Sequence, residues 1–66
     1  MKNNIRVHRA IKNITQAELA EKIGVSRQTI NSIESGKYVP STVLALKIAE
    51  VFSCTVEGIF TLEEGD

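Results

Sequence analysis

The segment TQAELAEKIGVSRQTINSIESGK, which runs from Thr15 to Lys37, contains the signals that decide the fold. Thr15 and Glu18 have the spacing of a capping box, in which each side chain accepts a hydrogen bond from the backbone amide of the other residue. An apolar stripe follows at helical spacing, and Gly24 can take the positive φ that commonly ends a helix. The sequence therefore predicts a helix from Gln16 to Ile23.

A second helix is predicted directly after this one. Ser26 can cap its first turn, and Gly36 lies where it can end. Between them, Ile30 and Ile33 have the spacing of residues that face a core. Two helices of about eight to ten residues, joined by a short turn that contains glycine, form the helix-turn-helix layout. We place this layout at about residues 16–35.

Three further helices are predicted around this pair. The first runs from about Asn4 to Lys12 and ends at Asn13, a residue type that tolerates the left-handed conformation. The fourth helix begins after Ser41 and is apolar around more than half of its circumference, so we expect it to be the central buried helix. Its apolar residues are Val43, Leu44, Leu46, Ile48, Ala49 and Phe52. The last predicted helix is short and runs from Val56 to Phe60.

Length and composition indicate one small globular domain. The chain has 66 residues, of which 42% are hydrophobic and 24% are charged, as in ordinary globular proteins. A chain of this length buries only about 60% of the surface that it exposes when unfolded, so its stability is marginal. Oligomerisation is therefore plausible on grounds of size alone, and the single domain is taken to span residues 1–66.

Charge is distributed unevenly along the chain, although the formal net charge is zero. The first 40 residues contain seven basic and three acidic side chains, and their formal net charge is +4. The last 26 residues contain one basic and five acidic side chains, and their formal net charge is −4. Such asymmetry predicts a surface with one basic side, which would orient the molecule on a charged partner.

The sequence contains none of the usual signals of metal-binding, secreted or membrane proteins. Cys54 is the single cysteine and cannot form an internal disulfide, and no cluster of cysteine and histidine has zinc-ligand spacing. No apolar run approaches the roughly 18 residues that would span a bilayer, and the N-terminal segment has no apolar signal core. We therefore predict a soluble, cytoplasmic protein with no cofactor, no metal and no membrane contact.

The second helix of the pair has an unusual exposed face. It carries Arg27, Gln28, Asn31 and Ser32, all of which can form hydrogen bonds and none of which is acidic. An ordinary solvent face would combine Glu and Lys, which form helices well and keep a surface soluble. Taken alone, these residues could be a merely polar surface, but within a helix-turn-helix they predict a surface that reads a ligand.

The segment TQAELAEKIGVSRQTINSIESGKYVPS, from Thr15 to Ser41, resembles the helix-turn-helix of the Cro/C1-type (XRE family) repressors of bacteria, archaea and phages. The resemblance extends from Ile5 to Phe60. It rests on the coincidence of Gln16, Ala20, Gly24, Ile30, Ile33, Glu34 and Gly36. The family fold is a compact bundle of four or five helices, so the resemblance implies an all-α, five-helix λ-repressor-like DNA-binding bundle, to which short terminal β-strands can be added. His8 and Asn13 depart from the family, which usually has Leu or Ile at the first position and commonly Gly at the second.

The resemblance implies a transcriptional regulator whose partner is double-stranded DNA, a repressor that binds a palindromic operator as a homodimer. In the major groove, amide and guanidinium groups can match the donors and acceptors of base edges, whereas a carboxylate would be repelled by phosphates. The predicted base contacts are Arg27, Gln28, Asn31 and Ser32. The predicted contacts to the DNA backbone are Gln16, Ser26, Thr29, Lys37 and Tyr38.

The family pattern implies two further assignments. Arg9 of the first helix pairs with Glu34 in a partly buried salt bridge that holds the recognition helix in place. The chain is also similar to stand-alone members of the family, in which terminal strands and the last helix build the homodimer, and the segments MKNNI and FTLEE can pair as such strands. The dimerisation region is placed at about residues 54–62, and its predicted interface residues are Val56, Ile59, Phe60 and Leu62.

Two other classes of function are weighed against this one. The same fold can serve as an antitoxin-like or adaptor module whose main partner is another protein, and exposed apolar surface beyond that of a dimer would favour this alternative. An enzyme is not predicted, because no nucleophile is paired with a base and the chain has no phosphate-binding loop. His8 and Cys54 are interpreted as structural side chains in or near the core.

Overall fold

The computed structural model describes all 66 residues as four α-helices, one 3₁₀ turn and a two-stranded sheet. In chain order the elements are β1 (Lys2–Asn3), α1 (Ile5–Lys12), α2 (Gln16–Ile23), α3 (Arg27–Glu34), α4 (Thr42–Val51), the 3₁₀ turn (Val56–Gly58) and β2 (Phe60–Thr61). The mostly helical fold agrees with the prediction. The fifth helix does not, because one 3₁₀ turn and a strand occupy its place.

Local sequence explains why the last predicted helix is only a turn. The Thr55 hydroxyl caps the segment by accepting from the Gly58 amide at 3.1 Å, but glycine is among the poorest helix formers. The chain then pairs with its own N-terminal segment, since β2 lies antiparallel to β1 with Asn3 opposite Phe60. These bonds replace the hydrogen bonds that a longer helix would have made.

The helix ends carry the caps that the sequence predicts. The Thr15 hydroxyl accepts from the Glu18 amide at 3.0 Å, and the Glu18 carboxylate accepts from the Thr15 amide at 2.9 Å. The Ser26 hydroxyl accepts from the Thr29 amide at 3.1 Å, and Gly24 ends α2 with a φ of 75°. Gly24 and Ser26 thus flank the short turn that joins α2 to α3.

The core lies between α2, α3 and α4, and the Ile5 end of α1 and the segment after the 3₁₀ turn complete it. Its buried residues are Ile5, Leu19, Ala20, Ile23, Ile30, Ile33, Ala45, Ile48, Ala49, Phe52, Ile59 and Phe60. His8 is half-buried, and its ring stacks on Phe52 with centroids 5.3 Å apart. Cys54 is half-buried against the same core. Both therefore have the structural surroundings that the sequence predicts.

Helix α4 is less buried than its composition predicts. One side of it enters the core, whereas Val43 is 61% exposed and Leu46 is 56% exposed. A chain of this size has too few elements to cover a helix on all sides, so the second apolar side of α4 faces solvent. The prediction of a central buried helix therefore holds for one side of α4 only.

The small sheet also contacts α3. The Asn3 side-chain amide donates to the Ile33 carbonyl at 2.9 Å, and its oxygen accepts from the Ile5 amide at 3.3 Å. The Ile33 carbonyl lies in the last turn of α3 and also accepts from the Gly36 amide at 3.1 Å, so the Asn3 side chain adds a second bond to it. None of the helices combines the length and the apolar character needed to cross a membrane.

Candidate nucleic-acid interface

Helix α3 presents a polar face to solvent and an apolar face to the core. Ile30 and Ile33 are buried, whereas Arg27, Gln28 and Asn31 are exposed. Two further residues, Thr29 and Ser32, are half-buried at the edges of the polar face. The predicted division of this helix between core and surface is therefore present, and its exposed side contains no acid.

Two open grooves flank the exposed face of α3. The larger one has a volume of about 610 Å³ and runs between α1, the start of α2 and the start of α3. The smaller one has a volume of about 360 Å³ and lies between α3 and the loop that follows it. Seven of the nine predicted DNA contacts line one of these grooves: Gln16 and Arg27 in the larger, and Ser26, Gln28, Thr29, Ser32 and Tyr38 in the smaller.

The larger groove contains polar residues that sequence reasoning missed. Arg6 and Asn13 line it beside Arg27, and the Arg6 side chain is 82% exposed. A signal existed in the sequence, since Arg6 lies three residues before Arg9 and so shares a side of α1 with it. It was missed because the proximity of α1 to the start of α2 depends on the tertiary packing.

The first amides of α2 and α3 add hydrogen-bond donors to this surface. Gln16 is the first residue of α2 and Arg27 is the first residue of α3. The N–H groups of a first helical turn have no acceptor within the helix, and the helix dipole makes this end attractive to anions. The groove at the start of both helices can therefore bind an anionic oxygen such as that of a phosphate.

Arg9 and Glu34 are brought together as a bidentate pair beneath this surface. Arg9 Nε donates to Glu34 Oε2 at 2.6 Å and Arg9 Nη2 donates to Oε1 at 3.1 Å, while Arg9 Nη1 donates to the Ile14 carbonyl at 3.1 Å. The Glu34 side chain is only 3% exposed, and the hydrogen bonds to it raise the pKa of Arg9. The pair joins α1 to the last turn of α3.

Gln16 extends this arrangement toward the exposed face of α3. Its side-chain Nε2 atom donates to Glu34 Oε1 and to Asn31 Oδ1, each at 3.3 Å. The start of α2 is thereby linked to two residues of α3 that lie one turn apart. Asn31, which lines neither groove, is held at the edge of the larger one by this bond.

The loop after α3 folds back onto the helix end. Gly36 has a φ of 80°, which directs the chain into the turn, and the amides of Lys37 and Tyr38 both donate to the Ser32 carbonyl, at 3.0 and 3.2 Å. Both side chains are exposed, although Lys37 lines neither groove. The loop thus carries one cation and one phenol beside the polar face of α3.

Ser26 and Thr29 have side chains that are already in use. The Ser26 hydroxyl caps α3, and it also lies 3.0 Å from the Thr29 hydroxyl. One of these two hydroxyl hydrogens therefore lies between them. This leaves one hydroxyl hydrogen of the pair for an outside acceptor.

The predicted dimer residues are mostly inside the molecule. Ile59 and Phe60 belong to the buried core, and Val56 is half-buried against it. Leu62 alone is largely exposed, at 78%. Ile59 and Phe60 are therefore covered by the core of their own chain and offer little side-chain surface to a second copy.

The chain is similar to known helix-turn-helix proteins over nearly its whole length. A family model described as helix-turn-helix matches residues 5–59. An uncharacterized HTH-type transcriptional regulator of Methanocaldococcus jannaschii is 53% identical over 66 residues, which cover all of both chains. An uncharacterized HTH-type transcriptional regulator of Bacillus subtilis, YgzD, is 50% identical over 64 residues, or 97% of each chain.

A third relative is longer than this chain. The HTH-type transcriptional activator BcrR of Enterococcus faecalis is 42% identical over 53 residues, which cover 80% of this chain and 26% of that protein. The matched region spans most of the helical bundle described above. The similarity therefore concerns the part of the activator that corresponds to this fold.

Proposed function

Because the chain belongs to the XRE-type helix-turn-helix family of DNA-binding transcriptional regulators, we propose that it recognises a specific DNA sequence by placing α3 in the major groove. The observation that carries this proposal is the acid-free exposed face of α3 between two grooves. A major groove is wide enough for one helix, and each base pair presents a distinct pattern of donors and acceptors there.

Base readout is assigned to the four predicted side chains on that face. Arg27 matches the two acceptors of guanine, and Gln28 can bond both the donor and the acceptor of adenine. Asn31 and Ser32 lie one turn further along the helix, where they meet adjacent bases or their phosphates. Arg27 and Gln28 are exposed at the start of α3, which is the part of a recognition helix that usually contacts bases.

Contacts to the DNA backbone fix the register of the helix. We assign these to the free amides at the start of α2, to the hydroxyls of Ser26 and Thr29, and to the exposed loop residues Lys37 and Tyr38. Arg6 joins this set because it is exposed in the larger groove. These groups flank α3 on both sides, as the two phosphate backbones flank the major groove.

We further propose that the protein acts as a homodimer on a palindromic operator. One subunit offers only a few cations, whereas a two-fold dimer doubles the phosphate contacts and strengthens binding accordingly. Half-sites of such operators lie one helical turn apart, roughly 34 Å. Two chains whose longest dimension is 31 Å can lie side by side over this distance.

The exposed side of α4 is the surface that we assign to the dimer. Val43 and Leu46 lie one turn apart on this side, and Val39 is exposed just before it. The patch follows directly after the loop that carries Lys37 and Tyr38. Leu62 lies at the other end of the chain and offers an alternative dimer surface.

Repression is the proposed outcome of binding. Occupying an operator obstructs polymerase without requiring any surface beyond the DNA-binding one. One relative is named as an activator, so the direction of regulation is to be measured with a reporter gene downstream of the selected operator. Reduced reporter expression in cells that produce the protein would support repression, and increased expression would contradict it.

A protein-binding module is the second candidate, and one observation favours it. Val7 and Ile11 are exposed four residues apart on α1, away from the α4 patch in sequence, so the chain has more apolar surface than one dimer contact uses. An antitoxin or adaptor would cover this surface with another protein. The protein and its DNA would be sedimented with and without cell extract. A bound protein partner would appear as added mass in the presence of extract, and this added mass should be lost in a Val7→Ser, Ile11→Ser double variant.

Selection of bound duplexes from a random DNA library tests the proposed function directly. The protein is incubated with the library at about physiological salt, where non-specific binding is weak, and bound duplexes are sequenced. We expect enrichment of a palindrome whose halves lie one helical turn apart. Failure to enrich any sequence would contradict sequence-specific binding, and enrichment of a single half-site would contradict the dimer.

A further inference from the structure

We propose that the exposed apolar side of α1 binds residues 62–66 of a second copy of the chain, with Leu62 of one copy packed on Val7 and Ile11 of the other. This contact is separate from the α4 surface that we assign to the dimer, and it joins one dimer to the next. It goes beyond the proposed function, since it governs how copies associate rather than which DNA sequence they bind.

The exposed side of α1 is apolar and has only basic charges beside it. Val7 is 57% exposed and Ile11 is 74% exposed, and their spacing of four residues places them on the same side of the helix. Every charged residue of α1 is basic. Lys12, next to Ile11, is exposed and forms no ion pair within the chain. A partner for this surface should therefore combine an apolar side chain with a carboxylate.

Residues 62–66 have this complementary character. Leu62 is 78% exposed, the largest exposed fraction among the exposed large apolar side chains, and every charged residue after it is acidic. Glu64 is exposed and forms no ion pair within the chain. Packing Leu62 on α1 would remove apolar surface of both copies from water and bring Glu64 of one copy toward Lys12 of the other.

Residues 62–66 are also held in one shape. The Glu63 amide donates to Asp66 Oδ2 at 2.7 Å, and the Asp66 amide donates to the Glu63 carbonyl at 3.0 Å. The Glu63 carboxylate lies 3.0 Å from the amine of Met1, which ties the segment to the residue before β1. Because Leu62 is presented by an ordered turn, less conformational entropy is lost when it binds.

The C-terminal segment runs away from α1 of its own chain. β2 is antiparallel to β1, with Lys2 opposite Thr61. Each step along β2 therefore leads back toward the start of β1, whereas α1 begins beyond the other end of β1, at Ile5. Leu62 follows Thr61 and so lies on the side away from α1. Both surfaces consequently stay exposed in a single copy, and a second copy can cover them.

The contact is too small to be stable between isolated molecules. Stable interfaces bury about 1,200–2,000 Å² and use about 20–30 residues on each side, far more than one leucine packed on two aliphatic side chains. Copies bound at neighbouring sites on one DNA are held at an effective concentration in the millimolar range, at which a weak contact can form. For a DNA-binding protein, the consequence is cooperative filling of adjacent operators.

Methyl NMR spectra of the full chain, recorded during dilution from about 1 mM, test the contact without DNA. In wild-type protein, we expect the methyl signals of Val7, Ile11 and Leu62 to shift together as the concentration falls. Leu62→Ser should abolish the shifts of Val7 and Ile11, because the side chain that packs on them is lost. The methyl signals of Val43 and Leu46 report the α4 dimer separately.

Charge reversal tests the ion pair that distinguishes residues 62–66 from other apolar partners. Lys12→Glu and Glu64→Lys should each weaken the association by about two- to fivefold, because each places two like charges together. The double variant exchanges the two charges and should restore it. Lys22→Glu and Glu21→Lys reverse exposed charges on α2 and serve as matched controls that should leave the shifts unchanged. The melting temperature of each variant verifies that it is folded.

Three results would overturn the inference. Shifts of Val7 and Ile11 that persist in Leu62→Ser would assign this side of α1 to a different surface of the second copy. The absence of any shift up to about 1 mM would leave α1 to another protein. Failure of the double charge variant to recover would contradict the pairing of Lys12 with Glu64. None of these results involves DNA, so the duplex selection tests the proposed function independently.

Discussion

At the scale of single residues, two arginines of the same helix have very different surroundings. Arg9 forms a bidentate pair with Glu34, whereas Arg6 reaches the same carboxylate only at 3.8 Å and is 82% exposed. Removing one member of a buried pair leaves the other charge unpaired, which costs far more than the loss of an exposed pair. The two arginines therefore offer a matched comparison.

We expect Arg9→Ala to lower the free energy of unfolding by about 3 kcal/mol, because Glu34 is nearly buried and would lose its main partner. Arg6→Ala, the control, should lower it by about 1 kcal/mol or less. Urea denaturation measures both. Equal effects of the two substitutions would contradict a dominant role of the Arg9 pair in holding α3.

A second residue-scale prediction separates base contacts from backbone contacts. Arg27→Ala should reduce discrimination between operator and altered sequence by about 1–3 kcal/mol, because its two donors match one base. Lys37→Ala should weaken binding to all sequences and lower the salt dependence by about one ion, because a cation near phosphate releases a counterion. Titrations at several salt concentrations measure both, and a sequence-dependent effect of Lys37→Ala would contradict its assignment.

At the scale of elements, the helix-turn-helix is the part of the structure that the sequence predicted best. The capping box at Thr15, the glycine turn and the serine cap are local signals, and each occurs where it was predicted. The last predicted helix failed because the segment after Gly58 pairs with a strand more than 50 residues away in sequence. The resemblance had indicated that the two terminal segments can pair as strands, whereas local propensity gave a helix for the second of them.

The capping box at the start of α2 predicts how the stability of the protein depends on pH. Hydrogen bonds from the backbone amide of Thr15 and then from its hydroxyl lower the pKa of Glu18 below its ordinary value of 4.5. A carboxyl group whose pKa is lower in the folded than in the unfolded protein stabilises the fold at pH values above its unfolded-state pKa. This stabilisation is lost as the pH falls through its folded-state pKa. Stability should therefore decline as the pH falls below about 4.5.

Glu18→Gln should make this decline smaller, because glutamine does not titrate. Glu21→Gln, which changes an exposed acid on the same helix outside the capping box, is the matched control. Thr15→Ala should lower the free energy of unfolding by about 1 kcal/mol at neutral pH through loss of the cap. Thermal denaturation of all three variants is measured between about pH 3 and pH 7, a range that brackets the titration of Glu18. If the melting temperatures of Glu18→Gln and of the wild-type protein depended on pH in the same way, the prediction would be contradicted.

At the scale of the whole molecule, exposed apolar surface decides how copies can associate. The buried positions of Ile59 and Phe60 remove most of the surface that the sequence assigned to a dimer. The exposed side of α4 provides another, centred on Val43 and Leu46. The exposed side of α4 and the terminal segment that carries Leu62 are both apolar. A charge introduced into one of these surfaces at a time therefore tests which of them forms the dimer.

Leu46→Glu should convert the proposed dimer to a monomer, because it would bury a carboxylate against the apolar side of a second α4. Leu62→Glu should leave the dimer intact and serves as the control, since Leu62 is 78% exposed at the other end of the chain. Sedimentation equilibrium gives the mass of each variant. The reverse pattern would return the interface to the terminal segment that the sequence first indicated.

The sequence by itself determined the helix-turn-helix, its caps, the residues that α3 buries and its acid-free exposed face. These features depend on residues within about four positions of one another, which local hydrogen bonding and helical periodicity control. The tertiary structure decided the rest: that β1 pairs with β2 of the same chain, the exposed side of α4, and the contact that joins Gln16 to Asn31. Each of these depends on which surfaces meet when the chain closes, and neither composition nor local spacing specifies that.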